Sequence, residues 1–314
     1  MADNDGQWER GLIEKLATEA LKEQRRARRW GIFWKLLFFG YLTVLVVLAV
    51  DWKDMSEAKG GKHTALVDVR GVIAPGTDAS ADKVSLALQA AFKDKNTQGV
   101  VMRINSPGGS PVQAQAIYDE VRRLRAKYPG IPLYVVVEDL CASGGYYIAA
   151  AADKIYVAKS SIVGSIGVRM DSFGVVGLMD KLGIESRQIT AGKNKALLDP
   201  FKPMEEEHRK IAIDLVEEIH AQFIAAVKEG RGKRLKETPD MFSGLIWTGA
   251  KSVELGLADG FGGLDSVARD VIKAEDVVDY TQKENLAEKF ARRLGAGAMS
   301  ALLEFSARSG LAIR

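Results

Sequence analysis

The residues best placed to do chemistry lie where apolar runs break into small residues. From Leu133 the chain reads Leu-Tyr-Val-Val-Val-Glu-Asp-Leu-Cys-Ala-Ser-Gly-Gly-Tyr-Tyr-Ile-Ala-Ala-Ala-Ala: a β-branched run, a turn holding Ser143, and an alanine-rich segment that reads as a buried helix. A serine at such a bend projects its hydroxyl, and the backbone N–H groups behind it are unpaired at a helix N-terminus. Those are the parts of a nucleophile and an oxyanion hole. Serine is also a common helix N-cap, so the turn alone leaves both readings open. A second glycine-rich exit, Asn105-Ser106-Pro107-Gly108-Gly109, ends the preceding strand and falls on the same sheet edge, where open α/β sheets place ligand sites.

A serine is a weak nucleophile until a base removes its proton, and the chain offers only three histidines. His63 opens a strand, while His208 and His220 stand among Glu205, Glu206, Glu207, Glu217 and Glu218 on a long amphipathic segment that reads as a solvated helix face. A lysine can replace histidine where burial and the absence of a close carboxylate bring its pKa from about 10.4 towards neutrality, a change of roughly 4 kcal/mol. Lys193 and Lys195 stand in a tight turn, Ala191-Gly192-Lys193-Asn194-Lys195, and spacing alone does not separate either from a surface lysine. The single cysteine, Cys141, excludes an intramolecular disulfide framework and a Cys-rich zinc site. Lying before the bend, it has no helix N-terminus to activate it and reads as a small packed residue.

The elements that must position these residues alternate. Strand patterns at Thr64–Val69, Gly99–Ile104, Leu133–Glu138 and Lys154–Ala158 are separated by helical patterns at Ala81–Lys95, after Pro111 and after Ser143. Short joints between them argue a largely parallel α/β sheet built of βαβ units. Further on, the pattern predicts a glycine-flanked apolar segment at Val163–Val168, a helix at Phe173–Leu182, a strand at Glu185–Thr190 and a long helix from Met204 to about Lys228. Short helices follow Thr248-Gly249 and the Leu257–Gly263 turn, and the chain beyond Asp276 reads as charged and helical.

With 44 basic and 41 acidic residues in 314, the net charge of +3 provides no global field for nucleic acid. The run from Trp30 to Val50 has the length of a bilayer-crossing helix and carries one charge, Lys35, near its edge. Arg25, Arg26, Arg28 and Arg29 precede it, Asp51 and Asp54 follow it, and Trp30, Trp34 and Trp52 flank it. These features predict a retained anchor with a cytoplasmic N-terminus and an outward-facing domain. Trp8, Leu12, Ile13, Leu16, Ala20 and Leu21 fall at helical spacing among charges, the pattern of an interfacial helix. The expected organisation is thus a cytoplasmic segment 1–29, a transmembrane helix 30–50, a linker 51–62, one catalytic domain 63–275 and a charged helical extension 276–314.

Four motifs, Asn105-Ser106-Pro107-Gly108-Gly109, Ala142-Ser143-Gly144-Gly145-Tyr146-Tyr147, Gly164-Ser165-Ile166-Gly167 and Gly192-x-x-Lys195, occur in an order that resembles the signal peptide peptidase A family, serine peptidase family S49. The similarity covers roughly Lys62 to Lys273 and looks like the short, single-domain, membrane-anchored form. The resemblance implies a ClpP/crotonase-like α/β fold, Ser143 as nucleophile and Lys195 as its general base. It also implies Ser165 as the group holding the lysine amine, and Gly144 with Gly109 as the oxyanion hole. It implies no cofactor and no metal. Substrates would be cleaved signal peptides and other apolar peptides at the outer face of a bacterial cytoplasmic membrane, and a single-domain chain would form a ring-like homo-oligomer. A crotonase-like acyl-CoA enzyme or an inactive membrane scaffold would share the fold without needing the serine.

Overall fold

The computed structural model describes residues 3–49 and 61–282. These fall into two units: helix α1 (Asp3–Ala49), and a catalytic-type domain that holds all the motifs. Helix α1 runs without a break through Arg29-Trp30, where a separate interfacial helix would have ended. Its aromatic and aliphatic side chains from Trp30 to Val44 are exposed. Among the described residues no helix is long and apolar enough to cross a membrane. The expected spanning run itself ends at Val50, outside those residues.

The domain is built on one sheet. Strands β1 (His63–Arg70), β2 (Thr97–Ser106) and β3 (Leu133–Ala142) pair in parallel, with crossovers α2 (Ala81–Lys93) and α3 (Pro111–Lys127) between them. After α4 (Gly144–Ala149), the splayed end of β3 pairs with both β4 (Lys154–Val157) and β5 (Ile162–Gly164). The remaining elements are α5 (Val176–Leu182), α6 (Glu206–Arg231), β6 (Ile246–Thr248), α7 (Gly249–Glu254), β7 (Gly260–Phe261), α8 (Leu264–Ser266, running on in π geometry to Ile272) and β8 (Val277–Asp279). The sheet order is β6-β5-β3-β2-β1-β8.

The strand residues explain this layering. On one face Val67, Val69, Met102, Ile104, Val135 and Val137 are buried beneath α2, α3 and α4, together with Leu88, Phe92, Ile117 and Tyr146. Fully burying each such side chain contributes about 1.5–3 kcal/mol. The opposite face buries a smaller patch, Leu66, Val101 and Val136, under Val267. Covering both faces accounts for the near-continuous apolar runs in the sequence.

Two expectations are corrected. Glu185–Thr190 forms no strand, and its residues are exposed with no partner strand among the described residues. The domain does not end at residue 275, because β8 pairs in parallel with β1 and Tyr280 N–H donates to the Leu66 carbonyl. The helical reading of the rest of 276–314 lies, from residue 283 onward, outside the described residues.

Candidate active site

The turn after β3 bears on the capping reading of Ser143. An N-cap serine would accept a hydrogen bond from the first turn of α4, and Ser143 makes none. Its backbone is instead held at φ 52°, ψ −124°, a conformation costing a non-glycine residue on the order of 1–3 kcal/mol. The strain is fixed from both sides, since Ser143 N–H donates to the Gly164 carbonyl and Tyr147 N–H donates to the Ser143 carbonyl, each at 2.9 Å. The half-buried Ser143 side chain is thus presented at a sharp strand-to-helix bend, the geometry of a nucleophile elbow.

The Pro107-Gly108-Gly109 exit lies directly against this turn. A Cβ on Gly108 would stand 2.7 Å from both the Gly144 nitrogen and Ser143 Cβ, and Gly108 has φ +96°, so only glycine fits. A Cβ on Gly144 would stand 3.3 Å from the Gly109 nitrogen. Among the described residues neither Gly109 N–H nor Gly144 N–H donates a hydrogen bond. Two unpaired donors from different strand exits therefore flank one serine, which is what a developing oxyanion needs.

Ser165 follows at the end of β5. It too is strained, at φ 53°, with its N–H donating to the Leu245 carbonyl at 2.7 Å. The β5 turn is thus joined to Ser143 through Gly164 and braced from outside by β6, which pairs antiparallel to β5 with Trp247 opposite Val163. A Cβ on Gly164 would stand 2.9 Å from Trp247 Cδ1.

The two lysines separate clearly. Lys193 Nζ pairs with Glu207 at 2.8 Å, and that hydrogen bond and charge raise its pKa, which withdraws it as a base. Lys195 is exposed, and among the described residues its amine has no hydrogen-bond or ion-pair partner. No hydrogen bond joins Lys195 to Ser143 or to Ser165. It sits on an arm whose apolar residues are left uncovered, Phe173 at 74%, Leu182 at 63% and Ile189 at 98% exposed. Beside that arm Val168, Met170, Leu198, Met204, Ile213 and Val216 line an open groove of about 610 Å³.

Among the described residues no histidine hydrogen-bonds Ser143. His63 is buried at the far end of β1, where its ring bonds to the Gly61 carbonyl and the Tyr280 hydroxyl. His208, also expected on a solvated face, is buried on α6. His220, expected on a solvated face, is half-buried and its Nε2 meets the Ile166 carbonyl at 3.1 Å, which steadies the Ser165 turn. Its glutamate neighbours on α6 hid this contact from the sequence. Cys141 is fully buried, and burial pushes its thiol pKa far up, in keeping with a packing residue.

Comparison with known proteins gives the family of the chain. The model of peptidase family S49 matches residues 125–278, and that of Clp protease matches residues 64–166, from β1 to β5. A Synechocystis sp. protein named "Putative protease" is 31% identical over 201 residues, covering 64% of this chain and 70% of that protein. The chain belongs to peptidase family S49. A relative from Methanocaldococcus jannaschii, also named "Putative protease", is 36% identical over 62% of this chain and 63% of that protein. A Brucella melitensis protein named Na(+)/H(+) antiporter NhaA is 47% identical over 209 residues, yet this S49 chain spans only 28% of its length. The α/β sheet is of the ClpP type.

Proposed function

We propose that this chain is a membrane-anchored serine endopeptidase that uses a Ser-Lys dyad. The observation that carries the reading is Ser143, strained and free of capping duty, beside the two unpaired N–H groups of Gly109 and Gly144. In the proposed reaction Ser143 Oγ attacks the scissile carbonyl carbon while the neutral Lys195 amine takes its proton. The Gly109 and Gly144 N–H groups hold the resulting oxyanion. As the C–N bond breaks, the Lys195 ammonium gives its proton to the departing amine, leaving an acyl ester on Ser143. Water, deprotonated by Lys195, then attacks the ester, and the lysine ammonium returns that proton to Ser143 Oγ as the acyl–oxygen bond breaks. Ser165 orients the lysine amine by a hydrogen bond.

Lys195 is supplied by a neighbouring copy in a ring. The arm that carries it exposes apolar side chains that no described residue covers, and its amine has no partner among the described residues. Trp30 to Val50 anchors the chain in the cytoplasmic membrane with the domain outside, a reading supported by the exposed aromatic and aliphatic residues of α1 and the preceding arginines. Substrates are apolar peptides such as cleaved signal peptides. The groove beside the Val168 and Leu198 segments, whose aliphatic lining is interrupted by Arg169, Arg209 and Glu217, supports peptides with apolar side chains.

Mixing chains tests the dyad. Ser143→Ala and Lys195→Ala chains are each expected to be inactive, and rings assembled from both to regain hydrolysis of an apolar peptide. Mixed rings that stay inactive although each parent assembles would refute a dyad shared between copies.

A further inference from the structure

We infer that Ser106 is a positioning residue for the oxyanion hole, a role that rests on Gly109 and Gly144 being its donors. Those two N–H groups come from separate strand exits, so something other than continuous backbone must hold them in register. Ser106 is the last residue of β2, fully buried, at a slip in the β2–β3 register that sets it opposite Cys141, just before the Ser143 turn. Its hydroxyl is used in both directions. Oγ donates to the Gly71 carbonyl at 2.6 Å and accepts from Gly108 N–H at 3.1 Å.

The consequence follows from peptide planarity. The Gly108 carbonyl accepts from Ile73 N–H at 2.9 Å, and in a trans peptide the Gly109 N–H points the opposite way, away from Ile73, while the Gly109 nitrogen lies 3.3 Å from where a Cβ on Gly144 would stand. Ser106 pins the neighbouring peptide through Gly108 N–H. The same hydroxyl also pins Gly71, so both the segment carrying Ile73 and the Gly108 peptide hang on one group. Ser106 touches the other donor's turn as well, because a Cβ on Gly145 would stand 3.2 Å from the Ser106 carbonyl oxygen and 3.5 Å from its Cβ. Removing the hydroxyl takes away the hydrogen bond to Gly108 N–H and leaves the glycine peptides held only by the bridge to Ile73.

The test uses the full-length protein in detergent or bilayers, with a fluorogenic apolar peptide and a peptide aldehyde of the same sequence, whose carbonyl carbon accepts Ser143 Oγ and whose oxygen then occupies the oxyanion hole. Ser106→Ala is expected to lower kcat by about tenfold to hundredfold, a large part of what losing one donor costs, with KM changed less than twofold. The aldehyde is expected to bind more weakly by a similar factor, and Ser106→Thr, which keeps the hydroxyl, to restore most of both. Should Ser106→Ala fail to fold, Ser106→Cys, nearly the same shape with a weaker donor, carries the same expectation. An unchanged kcat, a loss confined to KM, or a loss of kcat with undiminished aldehyde affinity would overturn the role of Ser106 and leave the peptidase reading intact. A wild-type protein that neither cleaves the peptide nor binds the aldehyde would instead sink the peptidase reading, and this inference with it.

Discussion

Replacing Gly109 by alanine puts a single methyl where the structure has no room. Its Cβ would stand 2.1 Å from the Ile73 carbonyl oxygen and 2.9 Å from both the Ile73 carbonyl carbon and its nitrogen. Contacts under 3.0 Å are not tolerated against backbone, so the two segments must part by about 0.9 Å. The bridge between them consists of Ile73 N–H to Gly108 O at 2.9 Å and Ser110 N–H to Ile73 O at 2.8 Å, and such a shift takes both bonds out of range. Two net backbone hydrogen bonds amount to about 2 kcal/mol of stability, enough to lower the melting point by several degrees without unfolding the domain at 25 °C. Catalysis loses more. The Gly109 donor moves by a comparable distance, and loss of one oxyanion donor costs about 10²–10³ in kcat, roughly 3–4 kcal/mol of transition-state stabilisation. Steady-state hydrolysis of an apolar peptide at 25 °C, with a melting curve on the same sample, reads both effects. Gly130→Ala is the control, because a Cβ there meets nothing within 4 Å. A Gly109→Ala protein that remains folded and keeps kcat within threefold of wild type would refute the reasoning.

The lysines are expected to diverge. Lys195→Ala abolishes turnover, whereas Lys193→Ala, which removes only an exposed pair with Glu207, leaves kcat within about twofold, as expected for a surface ion pair. Stability depends on another buried charge, the Arg231 guanidinium, which bonds Asp259 at 2.8 Å and is sealed from solvent. Burial pushes the Asp259 carboxyl up, but the Arg231 hydrogen bond and charge, the Ile155 N–H and Arg234 outweigh it and hold the pKa below the usual carboxylate value. Asp259→Asn strands that guanidinium and is expected to cost about 3–5 kcal/mol in urea unfolding at pH 7. Because the folded-state pKa is depressed, the wild-type advantage is full above the unfolded value of about 3.9 and fades as pH falls through the folded one, so the gap between wild type and variant narrows below about pH 4. A gap that widens in acid would contradict the assignment.

What the sequence made legible follows from where the information is local. The parallel strands announce themselves because Val100–Met102 and Val135–Val137 are buried on both faces of the sheet, and the helices between them because their apolar residues repeat at helical spacing. The glycine exits were readable as turns, and the family motifs placed them together. Three features depended on distant partners. Glu185–Thr190 has a strand pattern in sequence, but a strand exists by pairing, and it pairs with no strand among the described residues. The three-residue strands β6 and β8 are too short to show a period, and they form only because β5 and β1 offer them edges. The choice between Lys193 and Lys195 turns on Glu207, at the start of α6, which no spacing rule connects to Lys193. Ser143 shows a different limit. A capping serine and a strained nucleophile occupy the same position in sequence, before a helix and after a strand, and only the backbone angle distinguishes them.

Labelling with a serine-directed phosphonate addresses the nucleophile most directly. The full-length protein is incubated with an apolar-peptide phosphonate, and peptide mapping by mass spectrometry locates the adduct. The expected result is one phosphonyl group per chain on Ser143, formed in step with loss of peptidase activity and absent from Ser143→Ala. An acyl-CoA enzyme or an inactive scaffold on the same fold would remain unlabelled. Peptide hydrolysis that persists in Ser143→Ala, or inactivation with the adduct on another residue, would contradict the assignment of Ser143.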